Sequence, residues 1–245
     1  LLENVVTDIV NWLKKQVEET GVDGLLVGVS GGIDSAVVAN LIQRACPDNS
    51  LGVIMPLNSD PEGMEHARKV IDNCGIKGMT IDLTETHDVM FSQIKKNLSN
   101  EFNDEKGQLA DANLRARLRM STLYTIATNY NYLVVGTDNA AEWYTGYFTK
   151  YGDGGVDILP LVDFTKGEVR ELAKILGVPQ EVIHKKPSAD LWKGQTDEAE
   201  MGTTYNKIDA YLKGEAIPEE DKAIIERMHR NSAHKRDPHP QFRRS

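Results

Sequence analysis

Gly28-Val29-Ser30-Gly31-Gly32-Ile33-Asp34-Ser35 joins a short apolar run, residues 25–29, to a helical pattern over 36–45, and its composition decides the fold. Three glycines let the backbone turn sharply and approach a ligand with no Cβ in the way. Ser30 and Ser35 add hydroxyl donors, and the start of the next helix offers free N–H groups and a partial positive charge. Together these make an anion cradle. Asp34 is out of place beside a phosphate unless a hard cation such as Mg2+ takes carboxylate and phosphate oxygens together. A Walker A loop is excluded, because the segment ends Gly-Ile-Asp-Ser where Gly-Lys-Ser/Thr is needed. Ser30 at the second glycine excludes a dinucleotide fingerprint. Residues 28–32 match the G-x-S-x-G nucleophile elbow literally. That fold, however, takes one oxyanion N–H from an earlier strand-to-helix loop, and about one helix precedes the segment here.

Outward from this loop, short apolar runs alternate with helical periodicity. The runs at 25–29, 51–55, 79–83, 132–135 and 158–161 are too short for helices and read as buried strands. Helices are predicted where Leu2, Val5, Val6, Ile9, Leu13 and Val17 recur before Gly21, over 36–45, from Pro61 toward Cys74, and over 84–98 and 110–129. A further helix over 165–176 has Thr165 as N-cap, Glu168 at the capping-box position and Gly177 at its stop. The alternation predicts an α/β fold: a doubly wound, mostly parallel five-stranded sheet with helices on both faces. Ligands of such sheets sit at the carboxyl ends of the strands. Two loops have the length of binding segments or lids, 136–155 and 185–202.

The whole chain, 1–245, reads as a single domain, and its 40% hydrophobic and 27% charged residues are ordinary for a globular protein. No run approaches the roughly 18 apolar residues of a membrane span, and residues 1–20 mix Glu, Asp and Lys into their apolar pattern, unlike a secretory signal. A cytoplasmic protein without membrane partners is expected. Cys46 and Cys74 are not in a CxxC pair, so a disulfide scaffold or thiolate zinc site is not expected, and both read as buried free thiols. The net charge of −9 disfavours nucleic-acid binding.

The segment SGGxDS resembles the PP-loop of the ATP pyrophosphatases, and the rest of the chain resembles one family within them, the NAD synthetases. The resemblance rests on Gly136-Thr137-Asp138-Asn139-Ala140-Ala141-Glu142 and on Thr145-Gly146-Tyr147-Phe148-Thr149-Lys150-Tyr151-Gly152-Asp153-Gly154-Gly155. Ala116-Arg117-Leu118-Arg119-Met120, Lys186-Pro187-Ser188-Ala189-Asp190-Leu191 and His234-Lys235-Arg236 add to it. It implies an adenine nucleotide alpha hydrolase-like fold and ATP-dependent amidation of deamido-NAD by ammonia, through an acyl-adenylate, with release of AMP and pyrophosphate. It implies that Gly28, Val29, Ser30, Gly31, Gly32, Ile33, Asp34 and Ser35 hold ATP with Thr137, Lys166 and Ser188. Asp34 and Glu142 would bind Mg2+, and Arg117, Lys150, Asp157, His234 and Lys235 would contact deamido-NAD. Asp34, Glu142, Lys166 and Asp157 are the implied catalytic set. The family is homodimeric with the dinucleotide site at the subunit interface, so Arg117 and the His234-Lys235 pair are expected to serve the partner's site. Residues 185–202 are similar to the family's loop that closes over ATP. Ser188 stands where some relatives have Thr, which keeps the hydroxyl. Glutamine-using members carry an amidase domain upstream, so free ammonia is the expected nitrogen source.

Taken singly, these residues say less. Glu142, Asp157, Lys150 and Lys166 each read as solvated charges, and Arg115, Arg117 and Arg119 as a solvated helix face. His229, His234 and His239 recur every five residues, which fits neither helical spacing of a metal pair. Trp143, Tyr144, Tyr147 and Phe148 fit either a core or a ring-binding pocket. The rival readings are another PP-loop adenylating enzyme, such as a tRNA modifier, and a nucleotide-binding module without catalysis.

Overall fold

The computed structural model describes residues 2–59, 61–188 and 196–244, with the side chains of residues 2 and 3 outside the description. The elements run α1 (Leu2–Thr20), β1 (Gly24–Gly28), α2 (Ile33–Ala45), β2 (Ser50–Ile54), α3 (Pro61–Cys74), β3 (Lys77–Thr80), α4 (Thr84–Leu98), a 3-10 turn (Ser99–Glu101), α5 (Asp104–Tyr130) and β4 (Tyr132–Val134). There follow α6 (Ala140–Thr145), α7 (Lys166–Leu176), α8 (Gln180–His184), α9 (Asp197–Met201), α10 (Tyr205–Leu212), α11 (Glu219–Asn231) and α12 (Ala233–Arg236).

Among the described residues the sheet has four parallel strands in the order β3-β2-β1-β4, where five were expected. The missing one is the run 158–161, which pairs only as an isolated parallel bridge between Val135 and Ile158. Pro160 lies two residues past the bridge, has no N–H to give a ladder, and the chain turns there. Other boundaries differ as well. The third strand, expected as a buried run over 79–83, is β3 at 77–80 and is largely exposed, because it forms the edge of the sheet. The long helix begins at Asp104, inside the polar stretch, because the Asn103 side chain accepts from Lys106 N–H and caps it there. The 185–202 segment, expected as a loop, contains the short helix α9.

Side chains alternate along β1, so one strand feeds two cores. Leu25 and Val27 join α1, α2, α3, α7 and α8 on one face, while Leu26 joins Leu51, Val53, Val134, Ile126 and Ala127 on the other. This is the doubly covered parallel sheet that apolar strands require. A third cluster, built on Ala141, Met201, Tyr205, Ile208 and Ile225, packs α6, α10 and α11 together. Cys46 and Cys74 are free and half-buried, and burial raises both thiols above their usual range. Among the described residues no helix is long and apolar enough to cross a membrane.

The strand order reverses between β1 and β4, so the loops that leave these two strands diverge and open a crevice at their carboxyl ends. Leu26 is fully buried at the centre of the sheet beneath that crevice. Leu26→Ala is expected to lower the free energy of unfolding by about 2–5 kcal/mol, read from urea titration, and a loss below about 1 kcal/mol would mean that the site refills.

Candidate active site

The loop after β1 is rigid for reasons visible in its own residues. Ser35 Oγ accepts from Ser30 N–H at 3.2 Å and donates to Gly32 O at 3.0 Å, while Gly32 N–H donates to Ser30 Oγ at 3.2 Å. Gly31 has φ +81°, and a Cβ there would lie 2.4 Å from the carbonyl oxygen of Gly63 on α3. Both facts demand glycine. Gly32 is the N-cap of α2 and supplies no side-chain cap, which leaves the helix N-terminus open to an anion.

The loop after β4 delivers the second half. Asn139 is fully buried and caps α6 in a capping box: its side chain accepts from the N–H groups of Ala141 and Glu142, and Glu142 Oε2 accepts Asn139 N–H at 3.1 Å. The spare Nδ2 of Asn139 donates to Asp34 Oδ1 at 2.9 Å, tying the two loops together. The third half-helix is α7, whose first residue is Lys166. Thr165 and Glu168 form the expected capping box, and Asp209 of α10 accepts the N–H groups of Lys166 and Gly167 at 3.1 and 2.9 Å. Lys166 is 2% exposed, with Nζ 2.5 Å from Asp34 Oδ2 and 3.3 Å from Glu142 Oε1.

These groups open onto a crevice of about 410 Å³. Of the sequence-derived phosphate set, Gly28, Val29, Ser30, Gly32, Ile33, Asp34, Ser35, Thr137, Lys166 and Ser188 line it, as do Glu142 and Lys235. Gly31 turns away toward α3. Arg117, Lys150 and His234 do not line the crevice. They form a surface chain, with Arg117 Nε donating to Lys150 O at 3.3 Å and Lys150 Nζ to His234 O at 2.6 Å. Lys235 Nζ donates to the carbonyls of Gly146 and Phe148 at 2.7 and 2.5 Å. Asp157 is not brought into the crevice either. Its carboxylate accepts Val134 N–H at 2.8 Å and the Tyr124 hydroxyl at 2.9 Å, closing the edge of β4. Of residues 185–202, the stretch 189–195, and with it the end of the 186–191 motif, lies outside the described residues.

The four aromatic residues divide. Tyr147 and Phe148 line the crevice, Trp143 stacks behind Phe148 at 5.2 Å, and Tyr144 stacks on His229 at 4.0 Å on the far side of α6. Sequence reading gave no role to Asn139, Asp138, Asp197 or Tyr205. Asn139 had a signal, the Asn-x-x-Glu capping box 139–142, but the others are placed by tertiary contacts. Asp138 is 4% exposed and its Oδ2 has no hydrogen-bond partner among the described residues. Burial, then the charges of Asp153 and Glu142, hold its carboxyl well above the usual range.

Charge is out of balance here. Burial pulls the Lys166 ammonium down, but Asp34 and Glu142 outweigh it and hold the group above its usual range. Glu142 is pushed up to about 7, by burial first and by Asp34 and Asp197 as well, against the pull of Lys166. One ammonium cannot offset three neighbouring carboxylates. Asp34 and Glu142 are hard oxygen donors facing the same crevice. That suits Mg2+, which uses one or two protein carboxylates and completes its shell with water and phosphate. No cluster of three or more metal-binding side chains occurs among the described residues.

Between about pH 4.5 and 7 the folded protein holds a proton on Glu142 that the unfolded chain has released. The stability this confers is complete below the unfolded value and is lost as pH rises through 7. Glu142→Gln is therefore expected to flatten the fall in stability from pH 4.5 to 8, by up to roughly 3 kcal/mol, in denaturant titrations without metal. Equal slopes for variant and wild type would remove Glu142 as the titrating group.

Comparison with known proteins agrees with this geometry. The NAD synthase family matches residues 5–239. An NH(3)-dependent NAD(+) synthetase of Alkaliphilus oremlandii is 58% identical over 96% of this chain and 95% of its own length. The structure of an NMN synthetase from Francisella tularensis superposes with TM-score 0.91 at 38% identity, over 98% of each chain. An NH3-dependent NAD synthetase from Campylobacter jejuni superposes with TM-score 0.79 at 26% identity, over 98% of each chain. A family match over residues 5–239 and a relative 58% identical over nearly the whole of both chains lead to one conclusion: the chain belongs to the NAD synthase family.

Proposed function

We propose that this protein is an ammonia-dependent NAD synthetase, which uses ATP to convert the nicotinate carboxylate of deamido-NAD to the amide, with release of AMP and pyrophosphate. The observation that carries the reading is the meeting of Asp34, Glu142 and Lys166 at the mouth of an uncapped helix N-terminus. The ammonia-dependent relative, aligned over nearly its whole length, supports ammonia as the nitrogen source.

A carboxylate resists ammonia because it is anionic and has no good leaving group. Transfer of AMP to that oxygen supplies one, at the expense of the α–β bond of ATP. Gly28, Val29, Ser30, Gly32, Ile33, Asp34 and Ser35, with Thr137 and Ser188, hold the phosphates at the uncapped N-terminus of α2, and Gly31 shapes the turn. Mg2+, when bound by Asp34 and Glu142, neutralises charge on the phosphates and the departing pyrophosphate. Lys166 stabilises the charge that develops on the α-phosphate. Catalysis is positioning and electrostatics, with no nucleophile from the protein. Arg117, Lys150, Asp157, His234 and Lys235 make the dinucleotide set in this reading. Residues 185–188, with Asp197 and Glu200 of α9, line the crevice and exclude water from the acyl-adenylate.

A homodimer fits the surface. Val89, Met90, Ile94 and Leu98 of α4 and Leu109 of α5 are large apolar side chains exposed by 40–58%. In a dimer Arg117 and His234, which lie outside their own crevice, serve the partner's dinucleotide. Ile94→Glu with Leu109→Glu is expected to shift sedimentation from dimer to monomer and to raise KM for deamido-NAD more than KM for ATP. A dimer that survives both changes would place the interface elsewhere.

A second reading concerns the substrate's size. The closer superposition on an NMN synthetase than on the Campylobacter NAD synthetase favours testing nicotinate mononucleotide beside deamido-NAD. Purified protein with ATP, Mg2+, deamido-NAD and ammonium is expected to give NAD and pyrophosphate in equal amounts, and neither with glutamine. Asp34→Asn and Lys166→Met are expected to lower kcat by roughly 10²–10³. Faster amidation of the mononucleotide would reassign the substrate, and pyrophosphate with no amide from either would sink the reading.

A further inference from the structure

Tyr205, the first residue of α10, is fully buried in the third core cluster. Its hydroxyl oxygen lies 2.9 Å from Glu142 Oε1 and 2.9 Å from Asp197 Oδ2. Lys166 Nζ sits over its ring, 4.6 Å from the centroid. Its backbone N–H donates to Glu198 Oε1 at 3.0 Å. One residue thus touches the carboxylate and the ammonium of the crevice and two carboxylates of α9.

Packing alone does not explain the hydroxyl. Phenylalanine would fill the same volume, whereas a buried hydroxyl costs free energy unless it is hydrogen-bonded. Between two carboxylate oxygens the hydroxyl is the donor. Glu142 already accepts Asn139 N–H on Oε2 and Lys166 on Oε1, and the single O–H of the phenol, shared with Asp197 Oδ2, adds a further donor on Oε1. That leaves the carboxylate little freedom to rotate.

The other end of the contact is α9. Asp197 is 6% exposed, and both Asp197 and Glu200 line the crevice. Tyr147 donates to Glu200 Oε2 at 2.7 Å and lies 3.3 Å from Asp197 Oδ1. The short helix is therefore fastened to the crevice by phenols, and one of these also holds Glu142.

We propose that Tyr205 is a positioning residue for Glu142 and Lys166, and that through Asp197 it links their orientation to the docking of α9 on the crevice. This rests on the functional reading above for its catalytic meaning, but its contacts are testable without turnover. Outer-shell partners of a metal-binding carboxylate set its orientation, and their loss lowers metal affinity or activity about 10- to 100-fold. A merely structural tyrosine would change stability alone.

Tyr205→Phe keeps the ring over Lys166 and removes the O–H. Binding of Mn2+, a paramagnetic substitute for Mg2+, is followed by its resonance signal with α,β-methylene-ATP present. The affinity is expected to fall about 10- to 100-fold. In the Glu142→Gln background the same substitution is expected to add less than about threefold, because the hydroxyl acts through Glu142. With deamido-NAD and ammonium, kcat should fall while KM for deamido-NAD stays within about threefold. Wild-type Mn2+ affinity in Tyr205→Phe, at any melting temperature, would overturn the proposal. Should that variant not fold, hydrogen exchange of the wild type decides: Mn2+ with the analogue must slow exchange at the α9 amides, and an unchanged rate would overturn the link to α9. Wild-type protein that binds Mn2+ with this dependence on Tyr205 but forms no amide would overturn the functional reading and support the positioning role.

Discussion

A buried ammonium has to be satisfied, and in this fold the need is met from three separate parts of the chain. Lys166 enters on the first turn of α7, Asp34 on the first turn of α2, and Glu142 from α6, with Asn139 bonded to both carboxylates. Removing one partner of such a group typically costs about 3–5 kcal/mol, because the other charge is stranded in low dielectric. The constraint therefore fixes the distance between the loops after β1 and β4 and the seat of α7. Those two loops diverge at the point where the strand order reverses, so without a bridge they would be independent.

The bridge is over-supplied with negative charge. Asp34, Glu142 and Asp197 all act on one lysine, and Asp138 lies buried nearby with a carboxyl held far above its usual range. A fold selected for stability alone would not gather these groups, since each buried carboxylate without its own cation opposes folding. The imbalance has a use when a cation arrives with a phosphate ligand. The carboxylates are already desolvated and oriented, so little reorganisation remains to be done at binding. The raised Glu142 shows the same imbalance from the proton's side.

What the sequence revealed depended on how local each cause was. The loop 28–35 was legible because glycine at φ +81° and an uncapped helix start are properties of adjacent residues. The capping box at Thr165 and Glu168 was legible for the same reason. The fifth strand was misread because periodicity registers Ile158 and Leu161 as apolar, while pairing is decided by a missing N–H at Pro160. Asp157 looked poised for the crevice by its place after a strand, yet it is bonded to Val134 N–H and to the Tyr124 hydroxyl. Tyr205 lies 63 residues from Glu142 and meets it only through the packing of α6 and α10, and Asp197 of α9 joins the group through the Tyr205 hydroxyl, for which no short-range pattern exists.

The net charge of −9 poses a last problem, since every substrate in the proposed reaction except ammonia is an anion. Long-range attraction cannot recruit them, and the cations must act at close quarters. The chain arranges this by spending its lysines unevenly. Lys166 is committed to carboxylates inside the crevice, and Lys235 donates to the carbonyls of Gly146 and Phe148. Arg119 lines the crevice wall, and Lys185 and Lys186 enter it from the segment that leads toward α9. In the proposed reaction the triphosphate brings its own Mg2+, so the encounter is between a partly neutralised ligand and a site whose negative charge favours that metal. In that reading an excess of carboxylate is the device by which an acidic protein takes up a polyanion, because it would select the metal complex over the free nucleotide.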